Sequence, residues 1–314
     1  MRGNPVCDEP TFIALVQEHG VGKAAKLLGL SVRAVFARRK GIEERGNHSI
    51  SVPDSRSSRR HEEYPARWEL EVNNGTVLVG SDAHYWPGVN ATAHRAFVKL
   101  CAEFSPKAVI VNGDMLDFAS ISRFPPIGWE KQPSLVDEID ETKARLEEIH
   151  SASKKAAHIW PLGNHDGRFS TRIATVAPEY AKIHGFALKD HFPNWEPCWS
   201  CWINDDVVVK HRWKGGIHAP HNNAIQGGKS MVTGHLHSQR VSPWSDYNGD
   251  RWGVDAGCLA DVYGPQFLYV EDNPRNWRAG FVVLTFVGGE LLQPELVRVM
   301  DKNRVDFRGK IIRV

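Results

Sequence analysis

The chain predicts a layered α/β (α+β) domain preceded by a small all-α module. Three observations carry that expectation. Between about residues 8 and 46, apolar side chains recur at helical spacing. From Trp68 onward, strand-length apolar runs alternate with longer, partly helical segments, as a sheet covered by helices requires. Between these zones, residues 47–66 are rich in Ser, Arg, His and Pro and almost empty of large apolar side chains. Such a stretch cannot bury enough surface to offset its ordering entropy, so it reads as a flexible linker. The expected division is therefore 1–46, 47–66 and 67–314.

Composition narrows the class. With 314 residues, 41% hydrophobic and 24% charged, the chain suits an ordinary globular protein with one large core or two modest ones. The net charge of +2 argues neither for nor against nucleic acid as a partner of the whole molecule. No run approaches the ~18 apolar residues that span a bilayer, so no membrane partner is expected. Met1-Arg2-Gly3-Asn4-Pro5 lacks the apolar core of a secretory signal, and five scattered cysteines do not resemble a disulfide framework. A reducing cytoplasm is the expected compartment. Cys198-x-x-Cys201 has no second such pair, and with Trp195, Trp199 and Trp202 beside it reads as part of a packed aromatic cluster. The sequence leaves the oligomeric state open.

In the first zone, Phe12, Leu15 and Val16 mark a helix over Thr11–Gly20. A second fits Val21–Leu28, with Ala24, Ala25, Leu27 and Leu28 facing inward. Gly29-Leu30-Ser31 forms a tight turn, and Ser31 caps a third helix from Val32. The spacing of Ala25, Gly29 and Val35 resembles the helix-turn-helix family of DNA-binding motifs. The third helix carries Arg33, Arg38, Arg39 and Lys40, cations suited to phosphate contacts, so nucleic acid is the expected partner of this module. A solvated basic face on an oligomerisation or docking module is the alternative.

In the second zone, five apolar runs end in Asp, Asn or His. Thr76–Val79 leads to Gly80-Ser81-Asp82-Ala83-His84. Ala108–Val111 leads to Asn112-Gly113-Asp114-Met115-Leu116-Asp117. His158–Leu162 leads to Gly163-Asn164-His165-Asp166. Val207–Val209 leads to Lys210-His211, and Met231–Thr233 to Gly234-His235-Leu236-His237. Ligands of α/β sheets bind beyond the carboxyl ends of the strands, and glycines there let backbone approach closely. The five clusters are thus expected to line one cleft.

Their order, Asp-x-His, Gly-Asp-x-x-Asp, Gly-Asn-His-Asp, a lone His and Gly-His-x-His, resembles the calcineurin-like metallophosphoesterase superfamily over roughly residues 76–260. The resemblance implies a two-sheet sandwich flanked by helices and two divalent metal ions. Asp82, His84 and His237 would hold the first, Asn164, His211 and His235 the second, and Asp114 both. Mixed imidazole and oxygen donors suit manganese first, with iron, zinc, nickel or magnesium as alternatives. His165 would be the general acid and Asp117 the carboxylate that orients it. Asp166 fits a cap, a supporting residue or a substrate neighbour.

Two departures stand out. Arg212 follows His211 where the family often has glycine, leaving His218 and His221 as rivals for that ligand position. Phe118 follows Asp117 where the protein phosphatase branch carries arginine, which weighs against a phosphoprotein substrate. The segment from Phe118 to His158 reads as a proline-containing insertion followed by an amphipathic helix over Leu135–Ile149. Phe281–Phe286 and Leu291–Val299 read as a hairpin closing the sheet. The expected function is dinuclear-metal-dependent phosphoester hydrolysis, foremost a phosphodiesterase or nuclease. A phosphomonoesterase on nucleotides or phosphoproteins and a DNA-binding regulator with an inert metal domain are the rivals.

Overall fold

Alternation along three short strands dictates the layers. In β2 (Gly75–Gly80, following β1, Trp68–Leu70), β3 (Ala108–Val111) and β4 (Ala157–Pro161), neighbouring side chains point to opposite faces and both faces are buried. Val77, Val79, Ile110 and Ile159 enter one core; Leu78, Val109, Val111 and Trp160 enter another. The computed structural model describes residues 7–46, 50, 64–126, 128, 129, 131–181 and 183–314. It divides into two compact units, Met1–Glu63 and Tyr64–Val314.

The larger unit is a two-sheet sandwich. The remaining strands are β5 (Glu196–Cys198), β6 (Cys201–Ile203), β7 (Val207–Val209), β8 (Ser230–Thr233), β9 (Arg240–Asp246), β10 (Gly249–Asp255), β11 (Gly280–Val287), β12 (Glu290–Leu291), β13 (Glu295–Asp301), β14 (Arg304–Phe307) and β15 (Lys310–Arg313). One sheet runs β1-β6-β7-β8-β10-β9. The other runs β15-β14-β13-β11-β2-β3-β4-β5, with β12 paired to β11. Strands β2 to β5 are parallel, as are β7 and β8. Val207, Val209, Val232 and Val254 of the first sheet meet Val77, Val79, Ile110 and Ile159 of the second, so this core joins the sheets face to face.

The smaller unit holds α1 (Glu9–Leu28) and α2 (Val32–Gly46); in the larger unit α3 (Thr92–Phe104), α4 (Leu135–Ala152), α5 (Gly167–Val176), α6 (Leu188–His191) and α7 (Ala219–Gly227) flank the sheets. On the far face of the second sheet, Phe97 and Leu100 of α3 and Leu146 and Ile149 of α4 close the other core. Phe97 meets Phe281 edge-on, with ring centroids 4.9 Å apart. Helix α4 starts on a capping box between Ser134 and Asp137. The expected closing hairpin is present as β11 and β13, which pair antiparallel, while β14 and β15 extend the sheet beyond it. Cys198 and Cys201 lie buried in β5 and β6, and burial pushes both thiols above their usual range.

In the smaller unit, α1 bends at Gly20, whose φ of 71° and ψ of 165° interrupt the helix between the two predicted segments. Phe12, Val16, Ala24, Ala25, Val35, Ile42 and Ile50 form its core. Gly29 adopts a left-handed conformation, and the Ser31 hydroxyl accepts from Ala34 N at 3.2 Å. Leu27, expected inside, is instead 56% exposed: the inward stripe follows Ala24, Ala25 and half-buried Leu28, and position 27 points away from it. The predicted linker lies outside the described residues except for Ile50, Tyr64, Pro65 and Ala66. Of these, Pro65 and Ala66 carbonyls accept hydrogen bonds from Trp199 N and Ser200 Oγ. Among the described residues, no helix is long and apolar enough to cross a membrane.

Candidate metal centre

Five strand ends meet at one edge of the sandwich: β2, β3 and β4 from one sheet, β7 and β8 from the other. The loop after each delivers the polar cluster found in the sequence. Close packing of these loops depends on glycine at two points. A Cβ on Gly163 would lie 2.1 Å from Asp114 Oδ1, and one on Gly234 would lie 1.9 Å from Ser81 Oγ. Any side chain there would push the aspartates away.

The polar side chains fall into two adjoining groups. Asp82, His84 and His237 offer donor atoms within 4.8 Å of one another, as do Asp114, His211 and His235. Asp82 Oδ1 lies 3.1 Å from His237 Nε2, while its Oδ2 accepts from the backbone N of His235 at 2.8 Å, tying the groups together. Asp114 Oδ2 lies 3.0 Å from His211 Nε2, and Oδ1 accepts from His165 N at 2.8 Å. His211 is aimed by a 2.8 Å contact from Nδ1 to the Asn112 carbonyl. Its rivals are elsewhere: His218 is exposed at the start of α7, and His221 contacts Ser242 and stacks edge-on with Trp244.

Strain marks the same residues. Asp82, His84, Asp114, His235 and His237 all take left-handed backbone conformations, with φ between 41° and 70°. Each such position costs about 1 kcal/mol or more and persists only where surrounding contacts enforce it. Here those contacts aim side chains inward.

Among the described residues, buried side-chain atoms without a hydrogen-bond partner include three at this centre: His84 Nε2, His211 Nε2 and Asn164 Oδ1. Buried polar atoms are almost always satisfied, so three orphans among clustered imidazoles and carboxylates fit a cation that would take their lone pairs. The electrostatics agree. Burial opposes charge on every group, yet His211 is pushed up to about 10 by the Asp114 and Asp82 carboxylates, which favour any positive charge between them. His235, the exposed member of its group, is still lowered to about 4 by partial desolvation of its ring and by His211.

Beside this centre, His165 sits on Asp117. His165 Nδ1 lies 2.8 Å from Asp117 Oδ1, and its Nε2 lies 4.0 Å from Asp114 Oδ2. Burial works against the imidazolium, but Asp117 and Asp114 more than offset it and raise the pKa. Asp117 also contacts His84 Nδ1 at 3.0 Å; despite burial, these two histidines hold its carboxyl well below the usual range.

Two residues carry more than the sequence disclosed. Asp166, buried, accepts from the backbone N of Asp114, Met115 and Gly163 and from the Trp160 indole, bracing two loops against each other. Burial and the Asp114 charge raise its pKa to about 6. Arg168, absent from the sequence expectations, donates from Nη1 to the Asp117 carbonyl at 2.8 Å and places Nη2 3.2 Å from His165 Nε2. The predicted nucleic-acid residues belong to the smaller unit, on α2. Arg33 and Lys40 are exposed; Lys40 is 3.8 Å from Glu44. Arg38 donates to the Cys7 carbonyl at 2.6 Å and covers the Phe12 ring, and Arg39 pairs with Glu43 at 2.9 Å.

No protein-family model and no curated protein sequence matches this chain. Solved structures similar to it include wild-type Vps29 complexed with Zn2+ from Entamoeba histolytica, at 16% identity and a TM-score of 0.39, covering 76% of this chain and 98% of that one. A protein serine/threonine phosphatase from Saccharomyces cerevisiae, with similarity to human phosphatase PP5, is 14% identical at a TM-score of 0.36, covering 80% and 84%. Likenesses this distant carry no functional weight, and the chemistry rests on the chain's own residues.

Proposed function

We propose that the larger unit is a dinuclear-metal-dependent phosphoester hydrolase of the calcineurin-like metallophosphoesterase kind, and that it cleaves phosphodiester bonds in nucleic acid. One observation carries the hydrolase reading: two neighbouring Asp-His-His groups with orphaned donor atoms at the ends of five strands. Asp82, His84 and His237 would hold one ion, Asn164, His211 and His235 the other, with Asp114 serving both. Bound there, divalent ions supply Lewis acidity that neutralises phosphoryl oxygens and makes hydroxide available near neutral pH.

The chain's own groups handle the remaining proton. A leaving alkoxide needs one, and His165 is placed to give it from Nε2. Asp117 fixes the ring through Nδ1 and favours its charged form. In the neutral ring Nε2 accepts from Arg168 Nη2; in the imidazolium it carries the proton that the leaving oxygen needs. Support for nucleic acid comes from the smaller unit, whose exposed Arg33 and Lys40 suit phosphate contacts.

Turnover of bis(p-nitrophenyl) phosphate and p-nitrophenyl phosphate, measured with Mn2+ added to the full chain, tests the reading. The diester is expected to be favoured, and Asp114→Asn to reduce its turnover at least ~100-fold in a protein with unchanged circular dichroism. Preference for the monoester would replace the diesterase with a phosphomonoesterase. No turnover with any divalent ion would leave a DNA-binding protein with an inert centre.

A further inference from the structure

Two cavities of about 440 and 430 Å3 open beside the metal centre. The first is lined by Asp117, His165 and Tyr269, the second by Asn164, Arg123, Arg172 and Arg212; Phe124 and Arg168 border both. The second therefore carries four arginines and no carboxylate. Among the described residues, Arg123, Arg172 and Arg212 have no carboxylate within ion-pair distance, although the chain carries nearly as many acids as bases. Arg168 and Arg172 stand one turn apart on α5, a like-charged spacing that weakens a helix slightly. Unpaired cations gathered at such a cost point to an anion supplied from outside.

Aromatic rings interleave with them. Phe124 is 63% exposed, with the Arg123 guanidinium 5.1 Å over its ring, and Tyr269 is 54% exposed. Exposed rings alternating with arginines are the surface on which unpaired bases stack while phosphates track the cations. In a duplex the base faces are already stacked and cannot reach these rings.

We infer that this arginine-lined cleft is a binding track for single-stranded nucleic acid: Arg123, Arg172 and Arg212 hold phosphates flanking the scissile one, and Phe124 and Tyr269 stack on neighbouring bases. This rests on the phosphodiesterase reading and specifies its substrate.

The test compares the full chain with its Arg123→Ala/Arg172→Ala variant, leaving Arg212 beside the ligand His211 intact. Cleavage of a fluorescein-labelled single-stranded decanucleotide is measured against bis(p-nitrophenyl) phosphate over a salt series. The ratio of kcat/KM for oligonucleotide over small diester is expected to fall roughly tenfold, and the salt slope of oligonucleotide cleavage to become shallower by about 1.4, two phosphates at about 0.7 each. Phe124→Ala is expected to lower the same ratio without changing the salt slope. Equal losses on both substrates, no loss on either, or a wild-type protein that cleaves the small diester but prefers duplex to single strand would overturn the track while leaving the hydrolase intact. If neither substrate is cleaved with any metal, the hydrolase reading fails first; the track is then judged by fluorescence anisotropy of the same oligonucleotide, and equal Kd for wild type and variant overturns it.

Discussion

His165 shows how much a single side chain's surroundings decide. Its neighbours are Asp117 at one ring nitrogen and Arg168 at the other, with Asp114 just beyond. A group placed to protonate a leaving oxygen matters only when that oxygen is a poor leaving group. His165→Asn is therefore expected to reduce kcat by roughly 100-fold or more on an alkyl-ester diester, and far less on a p-nitrophenyl ester, whose leaving group needs no proton. Equal losses on both would remove the general-acid role. The residue types at the centre were legible in the sequence because each cluster follows an apolar run, four of the five with a glycine close by. Arg168 and the bracing function of Asp166 were not. A lone arginine in the first turn of a helix has no distinguishing pattern, and the partners of Asp166 are backbone amides, which every residue possesses. The left-handed conformations of Asp82, His84, Asp114, His235 and His237 were equally hidden, since non-glycine strain leaves no signature in residue identity.

At the level of elements, α2 divides its basic residues between two tasks. Arg38 lies over Phe12 at 4.4 Å and bonds to the Cys7 carbonyl, so it belongs to the packing of the smaller unit. Arg33 is exposed. Arg38→Ala is expected to lower the stability of that unit by about 1–2 kcal/mol, read as a shift in the denaturant midpoint of its unfolding, whereas Arg33→Ala leaves the midpoint in place. An unchanged midpoint for Arg38→Ala would contradict the packing role. Spacing identified these arginines but could not say which were already occupied, because the partners are separated by about thirty residues.

Strand β4 offers a second element-scale test. His158, 7% exposed, is lowered to about 4 by burial and then by His150, whose ring is 4.7 Å away. The unfolded chain therefore binds a proton at higher pH than the folded one. His158's contribution is complete above its usual pKa of about 6.5 and is lost as pH falls from there toward 4. Urea unfolding at pH 7 and 5 is expected to show a loss on the order of 2 kcal/mol attributable to this group, absent from His158→Gln. A variant with the same pH dependence as wild type would show that the proton is taken up elsewhere.

For the whole molecule, the sandwich was legible because parallel strands buried on both faces read as short continuous apolar runs, each closed by its own cluster. Strands β14 and β15 were not legible, since each is only four residues long and half of its residues are charged. What the sequence could not provide was convergence, the meeting of residues more than 150 positions apart, as Asp82 and His237 do at 3.1 Å. Every functional statement about this chain depends on that meeting place being a site for two cations. Calorimetric titration of Mn2+ into the chelator-treated full chain, followed by turnover of bis(p-nitrophenyl) phosphate on the same sample, addresses it directly. Two ions bound per chain, with turnover appearing as they bind and both stoichiometry and turnover reduced in Asp114→Asn, is the expected result. A chain that binds neither Mn2+ nor any other divalent transition metal at these residues, or binds it with the same stoichiometry when Asp114 is replaced, would contradict the account.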